Sequence, residues 1–294
     1  MDIKELLTSF AQITLFAVML SMGMALRFQG MAMLWRRPGL LLRCTLAAFV
    51  VVPLAAMVVT WLLPLPFTVR AGIGAMAIIP GAPVIYRKMQ KGPGDPNLAG
   101  SFQATMALLS IVLVPLWLSI LAALYPNDAT VPLATLFKQI MAVQFIPLVV
   151  GAALSQWLPD LAEELDEPLH RISTAMLAAV LILVLVVGLR LVLTAGPLPV
   201  LAVSLMAAAA LLAGHILAGP DPVVRQTIAI ANASRNTGLA LVLITLNFPA
   251  AEHDILVTLV AYALISGIAG AIYSHLYKKR QPLATDVQDA APGV

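Results

Sequence analysis

One arginine, two asparagines, a serine and a threonine sit together as Asn232, Ser234, Arg235, Asn236 and Thr237, inside an otherwise apolar run from Thr227 to Leu246. A run of about 20 apolar residues is long enough to cross a bilayer. Hydrocarbon offers no water to such groups, so these five side chains must face protein, a cavity or a ligand. From the residues alone, two kinds of chemistry are open to Arg235. Its planar guanidinium can clasp a carboxylate with two parallel N–H donors, or it can satisfy helix-end carbonyls and meet no ligand. Gly238 follows at once, and a cluster of poor helix formers closed by glycine predicts a helix that breaks near Asn236–Gly238.

A second interruption is expected at Ala77-Ile-Ile-Pro-Gly-Ala-Pro83, also in mid-run. Pro80, Gly81 and Pro83 would free backbone groups there, and freed backbone at membrane depth is tolerated where it lines a site. Ser101, Gln103 and Thr105 add a third polar group; 101 and 105 share a helix face, with 103 further round. Hydrogen bonding between helices is their plainer role. No Asp or Glu falls inside an expected span, and Asp95 and Asp221 read as turn or helix-start residues. There is no Gly-rich nucleotide loop, no His/Cys metal spacing and no nucleophile elbow, so no enzyme chemistry is implied. Lys138, beside Gln144 in an apolar run, reads as a snorkelling interface residue, and His215 as a late-helix residue near the interface. Trp61, Trp117 and Trp157 fit interface belts, and Met19, Met22 and Met24 fit core packing.

The elements that position these residues are membrane helices. Apolar residues make up 61% of the 294-residue chain and charged ones 11%, about half the charge of a soluble domain. Uninterrupted apolar runs exclude a β-barrel, and the single Cys44 cannot form a disulfide within the chain. Spans are expected at about 6–26, 40–63, 68–91, 98–125, 131–157, 169–194, 197–218, 223–248 and 254–277, nine in all. The acidic stretch Asp160–Glu167 is expected as a loop, and residues 281–294 as a disordered cytoplasmic tail. Arg27, Arg36, Arg37, Arg43, Arg87, Lys88, Lys91, Lys278, Lys279 and Arg280 all fall at one side by this count. Cations are retained in the cytoplasm, so a multi-pass inner or plasma membrane protein is expected, N-terminus outside and C-terminus inside.

The two interrupted segments are an odd number of spans apart and so cross the membrane in opposite senses. Interrupted segments at corresponding positions of inverted halves point to the midplane site of a secondary transporter. Here the halves would be residues 1–125, with four helices, and 126–280, with five. Met22-Gly-Met-Ala-Leu26, Pro80-Gly81 followed by Lys91-Gly92, Ile146-Pro-Leu-Val-Val-Gly151, and Asn236-Thr237-Gly238-Leu239 together resemble the bile acid:sodium symporter family. The resemblance runs from about residue 15 to residue 278. It implies a panel domain and a core domain, two discontinuous helices crossing in the core, and substrate bound between the domains. Members of that family usually have ten helices, and on this count the first is expected to be missing here.

The departures are as informative as the match. Where the family's second crossing helix carries a sodium-binding Glu and, four residues on, a Gln, this chain has Ala231 and Arg235. Where its first crossing helix carries Ser and Asn, this chain has Ile85 and Tyr86. A hard cation needs several oxygen ligands, so sodium coupling does not carry over with the resemblance. It opens a third reading of Arg235, as a fixed charge in the volume that sodium fills in the relatives. The expected function is secondary transport of a small organic anion by alternating access, with no cofactor unless it is sodium. The substrate site would comprise Arg235, Asn232, Ser234, Asn236, Thr237, Pro80, Gly81, Pro83 and Gln103. If sodium is coupled, Ser101, Thr105 and Asn232 are the candidate ligands. The expected partners are the anion and the lipid bilayer, and no nucleic acid. Two other functions stand beside this one: a sensor or interaction scaffold on a transporter frame, and a sodium-coupled symporter of the family type.

Overall fold

A computed structural model describes residues 3–92, 94–124, 132–194, 196–247 and 252–280. All secondary structure among them is helical, apart from one isolated bridge between Pro80 and Arg235. Six stretches are long and apolar enough to cross a membrane: Ser9–Met31, Pro38–Leu62, Pro96–Ala123, Ala134–Trp157, Pro197–Leu217 and Ile255–Tyr277. Large apolar side chains point outward along them, among them Ile13, Val112 and Ile216. In water such a surface would be costly, and in a bilayer it is the solvated face. The chain is a multi-pass membrane protein.

Two apolar helices are too short to cross alone, Phe67–Ile78 (α4) and Thr237–Asn247 (α12). Each belongs to an interrupted segment: α4 is followed, after Ile79–Val84, by α5 (Ile85–Gln90), and α12 is preceded, across Ser234–Asn236, by α11 (Pro222–Ala233). The acidic stretch expected as a loop is instead helical, because α9 runs unbroken from Pro159 to Thr194. Asp160 in its first turn suits the positive end of the helix dipole, and Arg171 pairs with Glu167 one turn away. Pro168 lies inside this helix, where it removes one backbone hydrogen bond, and does not stop it. The expected tail from Gln281 and the turn at Tyr125-Pro-Asn127 lie outside the described residues.

Two of the stretches that carry the resemblance meet each other. Helix α1 (Ile3–Met31) packs along α8 (Ile146–Trp157), and a side-chain carbon at Gly23 would sit 2.1 Å from the Leu148 carbonyl oxygen. The reverse holds at Gly151, where it would sit 2.2 Å from the Leu20 carbonyl oxygen. Only glycine permits backbones this close, and in lipid, where apolar contact alone gives no preference for protein over tails, such packing holds helices together. Helix α9 packs on α1 and α8; α10 (Pro197–Leu217) packs on α3 (Val52–Leu62), α11 and α13 (Glu252–Arg280). Met19, Met22 and Met24 are buried between these layers.

The helix holding Pro53 makes an opening for Arg235. Helix α2 (Pro38–Leu46) joins α3 through a π-helical turn, Ala47–Val51. Pro53 has no N–H for the carbonyl four residues back, Phe49, or for the one five back, Ala48. Both oxygens are filled from elsewhere: Trp117 Nε1 donates to Phe49 O at 2.8 Å, and Arg235 donates to Ala48 O at 3.1 Å. Trp117 is therefore a donor to an interior carbonyl and not the interface residue that its type suggested. Trp61 and Trp157 are exposed, at 82% and 74%.

Candidate functional site

The two interruptions touch. Ala82 N donates to Ser234 O at 2.9 Å and Asn236 N donates to Ile79 O at 3.1 Å, so each break supplies the other with partners it lost by leaving the helix. Gly81 takes φ of +80°, open to glycine without strain, and Gln103 fills the space a side chain would need. Asn236 caps α12 by accepting from Leu239 N at 3.0 Å, and its amide donates to Gln144 Oε1 at 2.8 Å.

Arg235 is almost wholly enclosed, at 3% exposure. One of its terminal nitrogens donates to Ala48 O and also to Ala77 O at 3.3 Å, in the last turn of α4. That is the negative end of a helix that stops at Ile78, where carbonyls lack intrahelical donors. The Tyr262 hydroxyl lies against the guanidinium and donates to Ala233 O at 2.8 Å. The other two guanidinium nitrogens, Nε and the second terminal one, have no hydrogen-bond partner and no contact with solvent. A carboxylate could reach that edge only after the protein around it moved.

A cleft of about 190 Å³ opens beside the crossing. One wall is α1, through Thr14, Leu15 and Val18; another is α9, through Leu177 and Val180. Its floor is the crossing itself: Ala82, Pro83, Ser234, Arg235, Asn236 and Thr237. The N-terminus of α12 opens onto it, and a half-helix N-terminus favours an anion. Among the described residues, the cleft's free cation is Lys88. Its amine lies 3.7 Å from where a side chain on Gly270 would begin, and among the described residues it has no carboxylate partner. Its neighbour Arg87 turns the other way and pairs with Asp166 of α9 at 3.0 Å.

The structure thus gathers Pro83, Ser234, Arg235, Asn236 and Thr237 at one cleft and leaves other candidates off it. Asn232 is fully buried against α10, its amide donating to Ala210 O at 2.8 Å and its Oδ1 without a partner. Pro80 and Gly81 lie within the crossing, and Gln103 behind it with neither amide atom partnered. Ser101 accepts from Leu34 N and donates to Met31 O, both at 2.7 Å, which ties down the end of α1. Thr105 is 1% exposed and its hydroxyl is unpartnered. Among the described residues no three His, Cys, Asp or Glu side chains converge to hold a metal ion.

Sequence reasoning missed Lys88, which ends an apolar run and so counted only as an interface cation. Its spacing from Val84 held the signal, because residues four apart share a helix face and Val84 also lines the cleft. Gln144 and Tyr262 gave no comparable signal; their partners come from other helices.

A family model described as the Sodium Bile acid symporter family matches residues 12–197. A chloroplastic protein of Arabidopsis thaliana described as probable sodium/metabolite cotransporter BASS1 is 25% identical over 260 residues, which is 87% of this chain and 64% of the plant protein. The chain therefore spans less than two thirds of that relative's length. The family match includes the first interruption and ends before the second, where Arg235 lies.

Proposed function

The chain belongs to the sodium bile acid symporter family, and on that premise we propose that it is a secondary carrier of a small organic anion, working by alternating access in an inner or plasma membrane. The observation that carries this reading is the cleft where both helix interruptions meet under Lys88. A carboxylate there meets the Lys88 ammonium, the hydroxyls of Ser234 and Thr237, and the first turn of α12. Alternating access follows if α1 and α9 rock against the crossing. The Arg87–Asp166 pair would then form in one state and break in the other. Two inverted halves, 1–125 and 126–280, are part of this proposal, with the N-terminus outside and the C-terminus in the cytoplasm.

Arg235 is read as a built-in cation of the crossing. It draws the carbonyls of Ala48 and Ala77 together, in a segment where relatives carry a Glu and a Gln and this chain has Ala231 and Arg235 itself. Its charge is permanent, so no ion from solution is needed. A second reading, sodium-coupled symport, is favoured by the family and by the unpartnered oxygens of Gln103, Thr105 and Asn232.

The test is uptake of radiolabelled small carboxylates by purified protein in liposomes, with sodium or potassium outside. Concentrative uptake of an anion independent of sodium supports the first reading, and uptake that needs sodium supports the second. Binding without flux would make the protein a sensor or scaffold on a transporter frame.

A further inference from the structure

Within two turns of the exposed cations of the α1–α2 connection, two guanidinium groups converge on a single turn, at Gly219. Arg43 lies near the start of the span Pro38–Leu62 and Arg225 in the first turn of α11. Arg225 Nε donates to Gly219 O at 2.9 Å, and a side-chain carbon on Gly219 would meet Arg43 at 3.0 Å. Arg43 Nε is in turn anchored on Gly39 O at 3.0 Å. Each side chain is held by its Nε, which leaves its terminal N–H groups available, and an Arg43 terminal nitrogen lies at the same Gly219 turn that Arg225 holds. Neither has a carboxylate partner among the described residues. Asp221, four residues before Arg225, is engaged in capping α11 through Val223 N and Val224 N.

An aromatic group stands beside them. His215 Nδ1 and the Tyr273 hydroxyl are 2.7 Å apart, and Tyr273 stacks on Tyr277 with ring centres 5.5 Å apart. Arg225 is within electrostatic range of both His215 and Tyr273. His215 ends the span Pro197–Leu217 and the tyrosines end the span Ile255–Tyr277, the depth at which amphipathic rings sit between headgroup and hydrocarbon. Leu42, next to Arg43 in the chain, and Leu212 and Ile216, within a turn of His215 on α10, are 60%, 57% and 70% exposed. The surface is thus doubly cationic at the interface and apolar beside it, the pattern of a phospholipid standing on end.

We propose that Arg43 and Arg225 hold the phosphate of an anionic phospholipid, with His215 and Tyr273 at the headgroup and Leu212 and Ile216 along an acyl chain. Two cations left without a protein counter-charge call for an anion from outside, and the adjoining apolar surface selects one that carries tails. Basic pockets between membrane helices recognise anionic headgroups in this way.

The test uses the full chain, delipidated and then returned to vesicles of phosphatidylcholine with or without phosphatidylglycerol. Lipid retained on the protein after extraction is counted by native mass spectrometry. The unaltered protein should keep phosphatidylglycerol in preference to phosphatidylcholine. Each cation contributes about fivefold, about 1 kcal/mol near an anionic surface, so R43Q/R225Q should reduce that preference about 25-fold. R43K/R225K should keep most of it, and R171Q, which removes an exposed cation on α9, should keep all of it. Should R43Q/R225Q fail to fold, R225Q alone should show the fivefold loss. Equal retention by R43Q/R225Q and the unaltered protein would overturn the proposal. So would complete displacement of the lipid by inorganic phosphate, which would assign the site to a free anion.

Discussion

Replacing Arg235 by alanine separates its roles most sharply, because the structure fixes what is lost. The substitution removes two charge-assisted hydrogen bonds, to Ala48 O and Ala77 O, each worth about 1.5–3 kcal/mol. It also relieves the cost of a charge inside the membrane, about 2.5–3.5 kcal/mol. These nearly offset, and the cavity left by the side chain then decides the sign, adding on the order of 2 kcal/mol. A net loss of about 2 kcal/mol corresponds to an apparent melting temperature lower by about 4–8 °C. Arg235→Lys keeps the charge but not the planar fork, and should fall about halfway. Scanning fluorimetry in detergent, in sodium or potassium chloride, reads both shifts without knowledge of the substrate. If Arg235→Ala melts with the unaltered protein yet no longer binds anions, Arg235 is a substrate residue and the built-in cation is refuted. The same holds if sodium alone raises the melting temperature of the unaltered protein.

Reconstructing the relatives' pair with Ala231→Glu and Arg235→Gln together should make uptake respond to sodium, measured as the ratio of initial rates in sodium and potassium; a ratio near one in the double variant counts against the substitution argument. Lys88→Gln should weaken binding of a carboxylate by about 10- to 100-fold, the worth of one charge-assisted contact, and leave its neutral amide unaffected. Equal loss for both, by calorimetry, would mean that Lys88 shapes the cleft without selecting charge. Gly151→Val forces side-chain atoms into the α1 backbone and should cost about 1–3 kcal/mol, with lower yield and a lower melting temperature; an unchanged melting curve would show that α1 and α8 can part freely. Tags at the two ends should be accessible from opposite sides of the membrane, and finding both cytoplasmic would mean an even number of spans.

Composition alone establishes a helical membrane protein, because hydrocarbon permits few other ways to satisfy a backbone. Local sequence also marks where the helices break to within a turn. The break expected at Pro80-Gly81 lies in Ile79–Val84, and the one expected at Asn236–Gly238 lies slightly earlier, at Ser234–Asn236, with Thr237 and Gly238 already in α12. The Asp160–Glu167 stretch departs from expectation for an equally local reason: high charge resembles a loop, whereas the helix continues with Asp160 at its dipole's positive end and Arg171 paired with Glu167 one turn away. The partners of a buried group are another matter. Arg235 meets Ala48, 187 positions away in sequence, and nothing near either residue announces the other. That meeting depends on Pro53 leaving carbonyls short of donors and on two interruptions arriving at one depth. Lys88 likewise became a cleft residue only when α1, α9 and α13 closed around α5, because whether a cation faces water or a cavity is decided by the elements packed over it. Sequence named most of the polar groups; only the fold decided which of them share a cleft and which are already engaged by the protein's own backbone.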